Sequence, residues 1–490
     1  MTLLPEEVAS INREKIEPQL ALTVLGKEKI ATIHDLTLKL LETVGMKISG
    51  ERTKKLLLAN GCRLKNDDLI LIPKQLIEYA LRTVPKELTL YNLDGTPSMV
   101  LNKNRTKYFG THADQLEFID PFKNQIRKFR KADIALMSKI AGALPNIDFI
   151  LSVGMAVDVP PQIQSQISFI ETVKYFRKPI NFSTNDIQGL RDIVEIASLI
   201  AGSTDNLKEK PFIFHYCEPL PPFTHPQEST EKILICAENK IPLVYMPFSM
   251  MGGTSPLNYF GTLAQCNAEV LTGLVISQIA NAGTPFIYGA MPSIFDMKTT
   301  IGSYGAPELH LLIAAAAEIS RHYDLPFYGT AGCSDAKVID EQAMTEITYE
   351  IFSSLISQAN LIHDVGVMDH CNSLSPEIVV LANEIIEGLK VYCRGIPNES
   401  NSSSIFDLMS KVGPGNHYLG EEHTFSNFKN IWYPQIFSRA MFSPKASSVR
   451  EKIRLYLKDI NKNYKIPELD QDLQHELTKW EVKLWKSFKD

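Results

Sequence analysis

Residues 262–290 read TLAQCNAEVLTGLVISQIANAGTPFIYGA, a long helix pattern followed by a short apolar strand pattern. The helix pattern ends near Ala282, and Pro285 opens the strand, because the residue before a proline avoids the helical conformation. Another short apolar run, PLVYMPF at 242–248, precedes the helix. This order of strand, helix and strand is typical of a βαβ unit in a parallel sheet.

The same alternation extends along the chain in both directions, with a helix pattern after each strand-like run. The runs lie at 107–112, 148–154, 179–184, 211–217, 242–248, 285–290, 325–331 and 359–365. Eight such units fit a closed barrel better than an open sheet. The sequence therefore predicts an α/β fold, a (β/α)8 or TIM barrel, with a helical N-terminal extension and C-terminal helices.

Three parts of the chain are expected from these patterns. Residues 1–104 form a helical N-terminal extension, because apolar residues from Ile30 to Val44 recur at helical spacing. Residues 105–395 form the catalytic barrel. Residues 396–490 form a helical tail packed on the barrel, beginning with the Asn/Ser-rich loop NESNSSS. The apolar tail helices favour self-association, so we expect a homo-oligomer.

Composition and motifs exclude several classes of protein. The net charge of −6 gives no general attraction for nucleic acid, and no apolar stretch is long enough to span a membrane. The first ten residues do not resemble a secretory signal, and the seven cysteines form no CxxC pair, which favours a cytoplasmic protein with reduced thiols. The chain contains no GxxxxGK[ST], GxGxxG, HExxH or GxSxG motif.

Candidate site residues follow the strands, because active sites of barrels lie at the C-terminal ends of their strands. These positions combine aromatic rings, thioethers and carboxylates, a set that suits a cationic, partly apolar ligand. A single tyrosine there is more often core, and a single aspartate is often a helix N-cap, as Asp340 is expected to be. The residues His363, Asp364, Asp369 and His370 lack a third well-spaced ligand, so no metal site is expected.

Five stretches resemble the trimethylamine methyltransferase family, in particular its members that lack pyrrolysine and act on quaternary amines. They are MMGGTSP (250–256), NAEVLTGLVISQIANAGTPFIYG (267–289), GTAGCSDAKVIDEQA (329–343), LIHDVG (361–366) and GPGNHYLGEEHT (413–424). The resemblance implies methyl transfer from a quaternary amine, such as glycine betaine, to the cobalt of a corrinoid protein. The sequence contains standard residues alone, so the route through pyrrolysine is not expected.

Within this resemblance, the corrinoid is carried by a cognate partner protein, and no cofactor is tightly bound to this chain. An aromatic cage for the ammonium group is assigned to Tyr245, Phe248, Tyr288 and Tyr328. Met250 and Gly332 line the same site, and His215, Ser334 and His363 are assigned to the carboxylate of the substrate. Glu218, Asp335 and Asp364 are the candidate catalytic carboxylates, which set the field and the loop geometry.

Two alternatives remain open from the residues. The first is a barrel lyase or hydrolase that uses Asp335 and Asp364 for proton transfer. The second is a non-catalytic amine-binding protein that docks on a corrinoid partner. The sequence does not distinguish between betaines and related amines.

Overall fold

The computed structural model describes residues 20–111, 114–152, 155–396, 402–441, 443 and 446–488. Eight parallel strands close into a barrel in the order of the chain, which confirms the predicted fold. They are β1 (Tyr108–Thr111), β2 (Phe149–Ile150), β3 (Ile180–Phe182), β4 (Ile213–Cys217), β5 (Leu243–Tyr245), β6 (Phe286–Gly289), β7 (Phe327–Thr330) and β8 (Leu361–Val365).

Prolines fix where several barrel strands begin. The residues directly before β5, β6 and β7 are Pro242, Pro285 and Pro326. A proline has no N–H to donate, but its carbonyl still accepts from the neighbouring strand. The carbonyl of Pro242 accepts from His215 N at 2.8 Å, and that of Pro326 accepts from Tyr288 N at 2.9 Å. The prolines therefore stand at the start of the strands without interrupting the barrel.

In the described parts of the chain, eight main helices surround the barrel, one after each strand. They are α1 (Lys131–Ala143), α2 (Gln164–Tyr175), α3 (Ile187–Ile200), α4 (Gln227–Asn239), α5 (Tyr259–Ala280), α6 (Pro307–His322), α7 (Glu341–Ile356) and α8 (Pro376–Cys393). Short helices at Pro161–Ile163 and Thr204–Glu209 precede α2 and follow α3. Asp340 caps α7 as expected, and Asp186 and Asn258 cap α3 and α5 in the same way: each accepts from a backbone N–H in the first turn.

The N-terminal extension covers α5. Its helices are Gly26–Lys39, Leu40–Val44, Glu51–Ala59 and Lys74–Thr83, and its strands are Met46–Ile48, Arg63–Leu64, Leu69–Leu71, Leu88–Tyr91 and Pro97–Leu101. The helices pack on α5, which is buried from Thr262 to Gln278 on all sides. A helix that is apolar all round has to be covered in this way. The strand Met46–Ile48 also pairs with Thr224–His225, in the loop after β4.

Several βα loops contain further strands. A hairpin of Glu117–Asp120 and Gln125–Lys128 follows β1, and it joins the short strands Val367–Met368 and Ser373–Leu374 after β8. Met250–Met251, Ser293–Asp296 and Ile301–Ser303 form a second small sheet from the loops after β5 and β6. These loop sheets were not predicted, and they build the walls around the C-terminal ends of the barrel strands, called the mouth below.

The C-terminal region contains helices at Ser402–Val412, Glu422–Asn427, Phe428–Asn430, Val449–Asn463 and Gln471–Ser487. The helix Val449–Asn463 packs on α1 and α8, and Gln471–Ser487 packs on α2 and α3. Arg450 and Arg454 bind Glu377 at the start of α8, which fixes the first of these helices. The division of the chain at residues 104 and 395 stays a prediction. Within the described residues, the structure contains no helix long and apolar enough to cross a membrane.

Candidate active site

Three aromatic rings meet inside the mouth of the barrel. The ring centroids of Tyr328 and His363 lie 4.5 Å apart, and the Tyr216 ring lies 6.0 Å from Tyr328 and 6.1 Å from His363. Side chains alternate between the two faces of a strand, so Tyr216 and Tyr328 point inward while their neighbours point to the helices, and His363 joins them from β8. Tyr216, Tyr328 and His363 are called the ring cluster below.

Each ring of the cluster is held by a hydrogen bond. The Tyr328 hydroxyl donates to Asn181 Oδ1 at 2.8 Å, and His363 Nδ1 lies 2.7 Å from the Gly329 carbonyl. A carbonyl only accepts, so this nitrogen carries a proton. The Tyr216 hydroxyl donates to Glu218, which is exposed at the edge of the mouth. The rings are therefore fixed before any ligand binds.

The two phenols of the ring cluster stay neutral at physiological pH. Burial raises the pKa of both Tyr216 and Tyr328 well above the ordinary value. Glu218 raises the pKa of Tyr216 further, and Asp364 raises that of Tyr328. Neutral rings keep the negative face that attracts a cation, and the nearby carboxylates give the mouth a negative potential.

A bulge in β8 brings two consecutive side chains toward the mouth. Ile362 pairs with Phe109, but the next pair along the strand is Val365 with Thr111, so β8 has one extra residue. Asp364, in this bulge, has a φ of 77°, and it accepts a hydrogen bond from the Thr330 hydroxyl. Bulges re-aim side chains, and positive φ at an aspartate is a strained conformation found often at functional sites.

A second group of polar and aromatic residues lies beside Asp364. Asp335 accepts hydrogen bonds from Tyr304 N at 2.8 Å and from the Ser303 hydroxyl, and it pairs with His370 Nδ1 at 2.9 Å. The Tyr304 ring lies 6.1 Å from that of Phe248. Burial raises the pKa of Tyr304 well above its ordinary value, and Cys371 and Asp364 raise it further. Tyr304 therefore connects the Asp335 group with the Phe248 ring.

The turn at 332–335 is fixed from behind by two glutamates of α7. Glu346 accepts from the Ser334 hydroxyl at 2.5 Å and from Asp335 N at 2.9 Å. The buried Glu350 accepts from Cys333 N at 2.8 Å. Gly332 has a φ of 86°, and a Cβ there would lie 3.2 Å from the Val365 Cα. Ser334 and the N–H groups of this turn are thus engaged by the protein, while the turn directs Asp335 to the mouth.

The structure does not bring three of the expected binding residues into the mouth. The Tyr245 hydroxyl lies 2.7 Å from His225 Nδ1, with its ring against Gly273 of α5, and the Tyr288 hydroxyl donates to Asn267 of α5 at 2.9 Å. His215 Nδ1 lies 3.0 Å from the Phe182 carbonyl on the outer face of the sheet. All three side chains are buried between strands and helices. The expected four-ring cage is therefore not assembled, because alternation turns Tyr245 and Tyr288 outward.

The remaining expected residues are placed as follows. Phe248 and Met250 pack against the strand Ile301–Ser303, since a Cβ on Gly302 would lie 3.0 Å from the Met250 sulfur and 3.3 Å from the Phe248 ring. Across the ranges that are described, no three His, Cys, Asp or Glu side chains lie close enough to hold a metal ion.

Four residues of the mouth were not among the expected binding or catalytic residues. Tyr216 lies near the end of β4, and His370 lies in the loop after β8. Alternation with His215 and Cys217 is the signal that could have identified Tyr216. Asn181 lies within a strand, and Tyr304 lies in the long loop after β6. No motif in the sequence marks these last two.

These features define a class: a (β/α)8-barrel enzyme whose mouth combines fixed aromatic rings with carboxylates. The family model described as trimethylamine methyltransferase (MTTB) matches residues 6–484. The chain therefore belongs to the trimethylamine methyltransferase family, as the sequence motifs indicated, and it is a methyltransferase.

Relatives of known function are similar over almost the whole chain. The glycine betaine methyltransferase of Desulfitobacterium hafniense (strain Y51) is 27% identical over 462 residues, which is 93% of this chain and 95% of that protein. The trimethylamine methyltransferase MttB of Methanosarcina barkeri (strain Fusaro / DSM 804) is 27% identical over 481 residues, 96% of each chain. The crystal structure of the hydroxylamine MtmB complex has the same fold, with a TM-score of 0.50 and 10% identity over 95% of this chain and 88% of that chain.

Proposed function

We propose that this protein transfers a methyl group from a quaternary amine, glycine betaine or a related betaine, to the Co(I) of a corrinoid bound to a separate protein, without pyrrolysine. The ring cluster of Tyr216, Tyr328 and His363 carries this proposal, because it places three aromatic faces beside Asp364 at the mouth of the barrel. The similarity to a glycine betaine methyltransferase supports the substrate class. The seven free cysteines are compatible with a cytoplasmic protein.

The residues of the mouth suit a quaternary ammonium group. Aromatic faces attract a cation without forming hydrogen bonds, which a quaternary nitrogen cannot donate. Tight ion pairs would stabilise the charged substrate more than the transition state, where the positive charge on nitrogen decreases, and would slow the reaction. The rings hold the cation, while Asp364 and Glu218 contribute a field from positions fixed by Thr330 and Tyr216.

The chemistry needs no general acid from the protein. The corrinoid is a second substrate: its Co(I) supplies the electron pair that bonds to the methyl carbon, while the C–N pair remains on nitrogen as a neutral tertiary amine. The contribution of this chain is to orient the amine and to exclude water, which lowers the entropic cost of the transfer. We propose that His363, Asp335 and His370 orient the rest of the substrate molecule.

The edge of the mouth fits a docked protein. Large apolar side chains are 60–73% exposed on the loops after five of the eight strands, Val157, Leu220, Leu257, Met297 and Val338. Exposed apolar residues around a polar site indicate a surface that binds a partner. We propose that the corrinoid protein docks on these residues, because its cobalt has to reach the mouth.

The test is methylation of cobalt in the visible spectrum of a reduced corrinoid protein. Glycine betaine, proline betaine, carnitine, butyrobetaine and choline are each added with this protein, and trimethylamine serves as the control substrate. Methylation with one or more quaternary amines, and none with trimethylamine, is the expected result. Methylation from trimethylamine alone, or consumption of the amine without any change at cobalt, would contradict the proposal. Membership of the methyltransferase family already disfavours a lyase that uses Asp335 and Asp364.

A further inference from the structure

The segment at 402–441, called the arm below, exposes an unusual number of large apolar side chains. They are Phe406, Met409, Tyr418, Leu419, Phe425, Phe428, Ile431, Tyr433, Phe437 and Met441, with exposures between 37% and 94%. The arm contains the helices Ser402–Val412 and Glu422–Asn427, the second of which buries no residue. Helices shorter than about 12–15 residues are marginal in water unless an apolar face is covered. The arm therefore needs a surface to pack on.

The exposed area is large enough for a stable interface. A large apolar side chain contributes roughly 150–250 Å² when it is fully exposed, so the arm exposes on the order of 1,000 Å² of apolar surface. The largest apolar patch of an ordinary monomer is about 300–600 Å². One side of a standard protein interface buries about 800 Å². The apolar surface of the arm is thus larger than the largest patch of an ordinary monomer and large enough for one side of a standard interface.

The arm follows the end of α8 that lies away from the mouth and then contacts the middle of this helix. The helix α8 starts at Pro376, near the mouth, and its 18 residues span about 27 Å to Cys393 at the other end. The arm follows this far end, and it returns along α8 where Trp432 packs on Gly388 and Ile436 N donates to Glu384 at 3.0 Å. Trp432 and Ile436 thus attach the arm to the middle and the far half of α8, which makes the corrinoid protein, whose cobalt has to face the mouth, the less favoured occupant.

The charges of the arm favour a copy of itself. Residues 402–441 contain three acidic residues, Asp407, Glu421 and Glu422, and three basic residues, Lys411, Lys429 and Arg439, so their charges balance, whereas the whole chain carries −6. Two arms can meet without net repulsion. The last two helices of the chain do not compete for this role, since their apolar residues Leu457 and Leu477 are fully buried within the chain.

We propose that the arm is the contact surface between two copies of this chain, paired about a two-fold axis. In such a pair each arm meets the same surface of its partner, which is how most soluble proteins self-associate. The exclusion of the corrinoid protein as the occupant rests on the proposed function. The mass of the protein in solution is independent of the proposed function, because it is measured without amine or corrinoid.

The mass of the full-length protein in solution tests the proposal, by sedimentation and light scattering at micromolar concentration. We expect a mass of at least twice 55.0 kDa for the wild type and of 55.0 kDa for the double variant Phe406→Glu with Phe425→Glu. Leu455→Glu is the matched control, since Leu455 is 62% exposed on a helix outside the arm, and it should leave the assembly intact. Circular dichroism shows whether each variant is folded.

Amide exchange gives a second measurement that needs no variant. Amides of 402–412 should be protected in the wild type and lose protection when dilution dissociates the pair. A wild type that runs as a single copy would overturn the proposal, and so would a folded double variant that keeps its assembly. Two outcomes would identify another occupant of the arm. If the protein is a single copy and removal of residues 1–19 exposes the arm, that segment covers it. If the protein binds a corrinoid protein and the double variant does not, the corrinoid protein covers it.

Discussion

The ring centroids of Tyr328 and His363 lie 4.5 Å apart across the neighbouring strands β7 and β8, at an angle of 41° between the ring planes. On these strands Tyr328 pairs with Leu361, and Thr330 pairs with His363 two residues further along. Each ring is held by a hydrogen bond, Tyr328 by Asn181 on β3 and His363 by the Gly329 carbonyl on β7. The pair forms a rigid aromatic corner, and Tyr216 completes it from β4.

Replacement of Tyr216 by leucine tests the contribution of an aromatic face. Tyr216 is partly exposed, so leucine fits there, but the quadrupole of the ring is lost. We expect kcat/KM for the favoured quaternary amine to fall by a factor of about 2–30, which corresponds to about 0.5–2 kcal/mol. Tyr216→Phe keeps the face and should retain most of the activity. Tyr259→Leu, 42% exposed at the start of α5, is the control, and full activity in Tyr216→Leu would exclude the aromatic site.

Replacement of Asp335 by asparagine tests the group that spans the loops after β6, β7 and β8. Asp335 accepts hydrogen bonds on its two oxygens from Ser303 and Tyr304 and lies 2.9 Å from His370 Nδ1, whereas an asparagine presents a single acceptor oxygen. We expect a loss of about 1–3 kcal/mol in kcat/KM with a normal circular dichroism spectrum, because the loops lose their common anchor. Asp340→Asn should be neutral, since asparagine caps α7 as well as aspartate does. Equal activity of both variants would show that Asp335 is dispensable.

The fold could be predicted from the sequence because each element has a local signal. Pro242, Pro285 and Pro326 mark strand starts, and capping residues such as Asp186 and Asp340 mark helix starts. The small sheet of Met250–Met251 with Ser293–Asp296 had no such signal. Two residues of pairing carry little periodicity, and their partner lies about forty residues away in the chain.

The site was harder to predict, because the end of a strand does not show which of two successive residues points inward. His215 and Tyr245 are the strand-end residues expected in the mouth, but His215 faces Phe182 and the helices while its neighbour Tyr216 points inward, and Tyr245 faces α5. A barrel interior selects alternate residues, and the register that decides the selection is a tertiary property. The bulge in β8 breaks the alternation again, so that His363 and Asp364 both serve the mouth.

Replacement of Tyr245 by phenylalanine separates the structural role of this residue from a role in binding. The variant removes the hydroxyl that lies 2.7 Å from Nδ1 of the buried His225. Burial lowers the pKa of His225 to about 3, so this ring is neutral at physiological pH and loses a hydrogen-bond partner. We expect the free energy of unfolding to fall by about 1–3 kcal/mol, with KM for the amine unchanged. A raised KM at unchanged stability would instead place Tyr245 in the binding site.

Glu269 provides a prediction for the dependence of stability on pH. It lies on α5 and accepts hydrogen bonds from Phe223 N at 2.8 Å, Ser249 Oγ at 3.2 Å and Gln265 Nε2 at 3.2 Å. It thereby connects the loops after β4 and β5. Burial raises the pKa of Glu269 from 4.5 to about 7, against the effect of these three donors. Cys266 and Tyr245 are the other titratable groups beside it, and burial raises the pKa of both well above their ordinary values, so they stay neutral.

The sign of the effect follows from the two pKa values of Glu269. Above pH 4.5 the unfolded chain loses this proton while the folded protein keeps it, so the contribution of Glu269 to stability is complete below pH 4.5 and is lost as the pH rises through about 7. The shift corresponds to a loss on the order of 3 kcal/mol. Glutamine cannot titrate, so Glu269→Gln should lack this loss. Urea unfolding between pH 4.5 and pH 8 measures the free energy of unfolding of the variant and of the wild type. The buried histidines contribute equally to both, so their effect cancels in the difference. We expect the difference to shift in favour of Glu269→Gln as the pH rises. The exposed Glu195→Gln on α3 should show no such trend, and a flat difference for Glu269→Gln would mean that Glu269 is ionised in the folded protein throughout this range.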